Sequence, residues 1–213
     1  MTGGGLTDTG RDGWEKAIAA VKELERMRGS LVEVGILEGK GADEQHEGTD
    51  LTVVAIASVH EFGATITIPA HEQEILRKIS ASGALMNGGR FVKRSRSNYA
   101  TSHQVEAYEI TIPARSFIRA TVDEQMAAIM EMGTKLLKKV AEGAMKAGQA
   151  MRLWGEDIVA RIREKIESGI APPLAASTVK GRAGGGKGEG GDTPLDDTGH
   201  MLRSITYRVK ESA

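Results

Sequence analysis

The stretch Gly181-Arg182-Ala183-Gly184-Gly185-Gly186-Lys187-Gly188 is the nearest approach in this sequence to a phosphate-handling motif. A Gly-rich loop cradles phosphates through converging backbone N–H groups, and the residue after its Lys must be Ser or Thr to hold Mg²⁺. Here that residue is Gly188. The motif also needs a buried strand before it and a helix after it. Pro172-Pro173 upstream and residues 192–194 downstream make neither expected. The overlapping Gly186-x-Gly188-x-x-Gly191 fails for the same reason, so the stretch reads as a flexible surface loop.

Other chemistry-bearing residues are equally short of partners. His60-Glu61 and His71-Glu72 begin like a zinc-protease helix, but neither has a His four residues after the first. A metal hydrolase built on His60 and Glu61 is therefore the weakest of three readings. Asp192, Asp196 and Asp197 suit turns and caps as well as a cation. No Ser-His-Asp or Lys-centred constellation follows from spacing. The expectation is no catalytic residue, no metal, no cofactor and no enzyme activity.

One charge cluster stands out. Arg90, Lys93, Arg94 and Arg96 are interleaved with Phe91 and Tyr99. Such a cluster contacts phosphate or an acidic protein surface, or it keeps a solvated hairpin edge from aggregating. A formal net charge of -1 over 213 residues argues against a protein that wraps nucleic acid globally. Protein contact or edge protection is favoured over DNA on that ground.

The elements that must position these residues follow from periodicity. Trp14, Ala17, Ile18, Val21, Leu24 and Met27 mark an amphipathic helix over 14–27, ended by Gly29. Residues 31–37 alternate as a half-buried strand. A short helix over 51–62, capped by Asp50, lays Val54, Ala57, Ser58 and Phe62 along one side and ends at Gly63. Residues 115–143 are mainly helical, with Phe117, Ile118, Ile129, Leu136 and Val140 among the core candidates. A second long helix over 147–168 carries a stripe of Met151, Trp154, Ile158, Ile162 and Ile166. Residues 175–193 read as a Gly-rich loop, Asp197 or Thr198 caps a last helical turn, and 205–209 forms a final strand.

A phrase occurs twice: Ile66-Thr67-Ile68-Pro69-Ala70 and Ile110-Thr111-Ile112-Pro113-Ala114. Alternating Ile and Thr make strands, and Pro ends them by removing a ladder donor. The two strand ends bracket an excursion, residues 70–112. Strands are expected there at 74–79 and 90–94, around an irregular tip at Asn87-Gly88-Gly89. The predicted fold class is α+β: a small, mostly antiparallel sheet packed by two or three helices, with a projecting β-hairpin arm. Residues 1–10 read as a flexible N-terminus and 11–210 as a single domain that includes the arm and the Gly-rich loop.

Apolar residues are 40% and aromatics 4%, with 27 Gly, so the core is lean. Cys is absent, which excludes disulfides and thiolate metal sites. Neither a secretion signal nor a membrane span is expected, so the chain reads as soluble and intracellular when made.

Several phrases then converge. They are His60-Glu61-Phe62-Gly63-Ala64, Asn87-Gly88-Gly89-Arg90-Phe91-Val92, Ile112-Pro113-Ala114-Arg115-Ser116-Phe117-Ile118-Arg119 and Pro194-Leu195-Asp196-Asp197-Thr198-Gly199-His200-Met201-Leu202-Arg203-Ser204-Ile205. In this order they resemble the Mu-like virion morphogenesis, or tail-completion, proteins of the tailed-phage neck, over residues 50–210. Pro172-Pro173-Leu174 through Thr178 and Arg182 resemble that family's loop before the Asp-Thr-Gly. Two departures are Ser116, where the family's pattern has a second Pro, and a longer N-terminal helix.

The resemblance implies a structural virion protein that joins head to tail or completes the tail. It implies a homo-oligomeric ring around the DNA channel, a hexamer, or a dodecamer if it sits on portal-side components. The implied partners are other copies of the chain and neighbouring neck, portal-side or tail-terminator proteins. DNA is channel content only, no membrane is involved, and assembly in the host cytoplasm precedes residence in the virion neck. The candidate subunit or partner contacts are Arg90, Phe91, Lys93, Arg94, Arg96, Tyr99, Arg115 and Phe117. Phe62 is expected to bury, and Arg115 to start the long helix while free to pair across a subunit boundary. The alternative function is a DNA-end or channel-DNA-binding module acting through residues 90–96.

Overall fold

A computed structural model describes residues 9–39, 43, 45, 51–183, 194–195 and 199–211. The helices are α1 (Thr9–Met27), α2 (Val53–Phe62), α3 (Arg119–Ala141), α4 (Ala147–Glu167), α5 (Ala176–Ala183) and α6 (His200–Ser204). The strands are β1 (Leu31–Ile36), β2 (Ala64–Ile68), β3 (His71–Arg77), β4 (Tyr99–Val105), β5 (Tyr108–Ile112) and β6 (Ile205–Lys210). The class is α+β, with the strands in three two-stranded antiparallel ladders, β1–β6, β2–β5 and β3–β4. The chain divides into two compact units, Met1–Gly63 with Pro113–Ala213, and Ala64–Ile112.

The first unit is built on α4. Val159, Ile162 and Ile166 recur at helical spacing and bury against Val53, Ala57, Phe117, Met201 and Ile205. Val34 and Ile36 of β1 and Tyr207 of β6 pack on the same cluster. A second cluster joins Leu136, Val140 and Ala150 to Leu24, Met27 and Trp154. Two α4 and α3 glycines are there for close approach. A Cβ on Gly155 would lie 2.5 Å from Cδ2 of Tyr207, and one on Gly133 would lie 3.0 Å from the Trp154 ring. The Trp154 indole N–H donates to the Ile129 carbonyl at 2.9 Å.

Several local expectations are corrected. The α1 stripe does not bury as a unit: Ala20 and Glu23 are buried, whereas Trp14, Ile18 and Val21 are exposed. α2 turns one position from the expected face, burying Val53, Ala57 and Glu61 and leaving Phe62 67% exposed. Its cap is Thr52, whose hydroxyl accepts from the Ala55 N–H at 3.3 Å; Asp50 lies outside the described residues. Residues 176–183 are helical rather than loop. Asp197 and Thr198 lie outside the described residues, and left-handed Gly199 precedes α6. The long helix begins at Arg119, not Arg115.

The second unit is a two-stranded ribbon. The repeated phrase pairs with itself: Ile66 faces Ile110, Thr65 faces Thr111, and Ile68 faces Tyr108. The ribbon continues as β3–β4, from His71↔Val105 to Arg77↔Tyr99. The expected strands at 74–79 and 90–94 are thus displaced. β3 stops at Arg77, its partner is β4, and residues 87–89 and 94–96 form short 3-10 turns. Three successive positive φ values, at Asn87, Gly88 and Gly89, preclude a strand continuing through the tip. Asn98 closes the tip, its amide donating to the Ile79 carbonyl and its oxygen accepting from the Ile79 N–H.

Candidate interaction surface

The motif residues of the first unit form one internal brace. α3 has no side-chain cap of its own. A helix start leaves backbone N–H groups without partners. Glu61 of α2 supplies the acceptors: its carboxylate takes hydrogen bonds from the N–H groups of Phe117 (2.8 Å), Ile118 (3.0 Å) and Arg119 (3.0 Å), and from the Ser116 hydroxyl at 2.6 Å. Ser116 Oγ in turn accepts from the Ala120 N–H at 3.1 Å. A Pro at that position would supply no hydroxyl, so Ser116 is an active member of the cap. Burial pushes the Glu61 carboxyl up, but the Ser116 hydroxyl and the three N–H groups outweigh it and hold it below the ordinary carboxylate value.

Glu23 of α1 does the same for α4, whose cap residue, Lys146, makes no side-chain cap bond. The Glu23 carboxylate accepts from the Ala147 N–H at 2.9 Å, and that bond lowers its pKa, helped by Arg26 and Lys146.

Arg115 and Phe117 belong to this brace rather than to a subunit boundary. Phe117 is 0% exposed. The Arg115 guanidinium donates to the Pro172 carbonyl (2.7 Å) and the Pro173 carbonyl (3.1 Å), and the Arg115 backbone N–H donates to the His60 carbonyl (2.6 Å). His60 and Glu61 have no metal role in this geometry, because the carboxylate is spent on α3. Burial, with the nearby Arg115 charge, lowers the His60 pKa. Among the described residues no group of three His, Asp or Glu could hold a metal ion, and no helix is long and apolar enough to cross a membrane.

The remaining candidates lie together at the tip of the ribbon. Arg90, Lys93, Arg94 and Arg96 are all exposed. Arg94 pairs with Glu74, and the Arg77 guanidinium sits 5.8 Å from the centroid of the Phe91 ring. Phe91 is 72% exposed. Tyr99 opens β4 opposite Arg77, half-exposed.

A surface that the site reading missed lies at the base. Side chains alternate across a strand, and directly opposed residues share a face. One face of β2–β5 therefore carries Ala64, Ile66, Ile68, Tyr108, Ile110 and Ile112, and the other Thr65, Thr67, Glu109 and Thr111. Ile66, Tyr108 and Ile110 are 42%, 46% and 42% exposed. The signal was present in the Ile-Thr alternation, but only the register shows that both apolar rows fall on one face. Exposed apolar residues also line α1 (Trp14, Ile18, Val21) and α3 (Met126, Met130, Leu137). Met130 and Leu137 border a cleft of about 180 Å³ with Met27, Gly133 and Trp154.

Comparison with family models, with curated proteins and with solved structures returns no match to this chain.

Proposed function

We propose that this chain is a structural subunit of a tailed-phage neck, resembling the Mu-like tail-completion proteins, that works by assembling into a homo-oligomeric ring around the DNA channel. Its place is the virion, between head and tail. The observation that carries the reading is the amphipathic β2–β5 ribbon with its exposed apolar face. A two-stranded ribbon is at best marginally stable alone in water. Covering Ile66, Tyr108 and Ile110 with a neighbouring copy removes apolar area from water at about 25 cal/mol per Å². A closed ring buries the same face on every subunit.

The test replaces the face without losing strand propensity, as Ile66→Thr with Tyr108→Thr and Ile110→Thr. Light scattering and negative-stain images of the purified wild-type chain are expected to show rings, and the triple variant to show smaller species. A wild-type chain that stays monomeric at every concentration would overturn the reading, as would rings unaffected by the triple substitution.

A further inference from the structure

The tip of the second unit has a charge distribution unlike the rest of the molecule. Residues 75–105 contain Arg77, Lys78, Arg90, Lys93, Arg94 and Arg96, and no Asp or Glu. The remainder of the chain carries 22 cations against 29 anions. An acidic body thus bears one segment of net charge +6. Two of the six cations are engaged, Arg94 with Glu74 and Arg77 over the Phe91 ring. The side chains of Arg90, Lys93 and Arg96 make no ion pair or hydrogen bond among the described residues, and all three are exposed.

Their spacing is regular. Arg90 (φ −66°, ψ 149°) and Lys93 (φ −63°, ψ 151°) have polyproline-II dihedrals, and Arg94–Arg96 is a 3-10 turn. Both conformations repeat every ~3 residues. Positions 90, 93 and 96 recur at that spacing of three, while Phe91 lies by Arg77 and Arg94 pairs with Glu74. At ~3.1 Å per residue in the first stretch and ~2.0 Å in the second, the three cations span about 15 Å. One strand of duplex DNA presents a phosphate every ~3.4 Å along its axis, about four over that length.

We infer that Arg90, Lys93 and Arg96 form a ladder that contacts the phosphate backbone of DNA. The contact is sequence-independent, because backbone phosphates carry no base information. An acidic protein surface would be attracted by the same charge, but the ribbon beyond the Ile75–Thr101 rung carries no anion of its own, and a DNA backbone offers a phosphate to each of three closely spaced cations. This inference does not depend on ring formation.

The test is fluorescence anisotropy with a labelled random-sequence DNA duplex and the corresponding single strand, using the full chain across a range of NaCl concentrations. Binding at low salt is expected, with log Kd changing against log salt by a slope of about 3 per tip, since each neutralised phosphate contributes ~0.9. Arg90→Gln with Lys93→Gln and Arg96→Gln should weaken binding at least tenfold and flatten that slope. Lys135→Gln with Lys138→Gln and Lys139→Gln removes equal charge from the end of α3 and should change neither by more than twofold. Absence of binding at low salt overturns the proposal. So does binding that is salt-independent, or that both triple variants weaken equally. If the tip variant alters only the oligomeric state and leaves DNA binding intact, the ladder serves a protein surface and the proposal fails.

Discussion

Removing the Glu61 carboxylate should release α3 from α2. In Glu61→Ala the N–H groups of Phe117, Ile118 and Arg119 and the Ser116 hydroxyl lose their common acceptor. Hydrogen bonds to a charged group contribute ~1.5–3 kcal/mol each, offset in part by desolvation of the carboxylate. Truncating one side of a buried charged network costs about 3–5 kcal/mol in total. Glu61→Gln keeps one acceptor oxygen but turns an NH₂ toward donors, so about 2 kcal/mol is expected. For a unit of this size, 4 kcal/mol corresponds to a fall in Tm of roughly 8–16 °C. The assay is urea and thermal unfolding followed by fluorescence of Trp154, which packs beside α3.

The same carboxylate gives the effect a pH signature. The folded-state pKa of Glu61 is lowered, as is that of Glu23. Their stabilisation is therefore complete above the unfolded carboxylate value of ~4.3 and is lost as pH falls through the lower folded value. In that window the unfolded chain binds more protons, so stability rises with pH. Glu61→Gln should reduce the slope of stability against pH below ~4.5. A Glu61→Ala cost under about 1 kcal/mol, or an unchanged acid slope in Glu61→Gln, would show that water or another group caps α3 and would refute the brace.

Two further stability predictions follow from packing. Gly155→Ala places a methyl 2.5 Å from Tyr207 Cδ2; overpacking of about 1–3 kcal/mol should exceed the ~1 kcal/mol gained in helix propensity. Denaturant midpoints decide it, and a stabilised variant would mean that the Tyr207 ring moves freely. Arg115→Lys should destabilise by about 2 kcal/mol, because a single ammonium cannot reproduce the two directed bonds to the Pro172 and Pro173 carbonyls. Equal stability of the Lys variant by urea titration would contradict that role.

The α+β class, the two long helices and the strand character of both Ile-Thr phrases are legible in the order of residues alone. These are read from local periodicity: a spacing of three and four along α4, and alternation along β2 and β5. The basic run at 90–96 is legible in the same way, since charge composition is local. What those segments meet depends on long-range packing. Nothing local in α2 says that Glu61 buries and Phe62 does not; that preference arises because residues 116–119, more than fifty positions away, present one hydroxyl and three N–H groups that a carboxylate there accepts together. Arg115 has the composition of a contact residue, yet the carbonyls of Pro172 and Pro173 claim it. Nor does alternation reveal that the two copies of the phrase are each other's partners, because pairing depends on long-range register. That register gathers the isoleucines onto one face and makes an apolar surface from two ordinary strands.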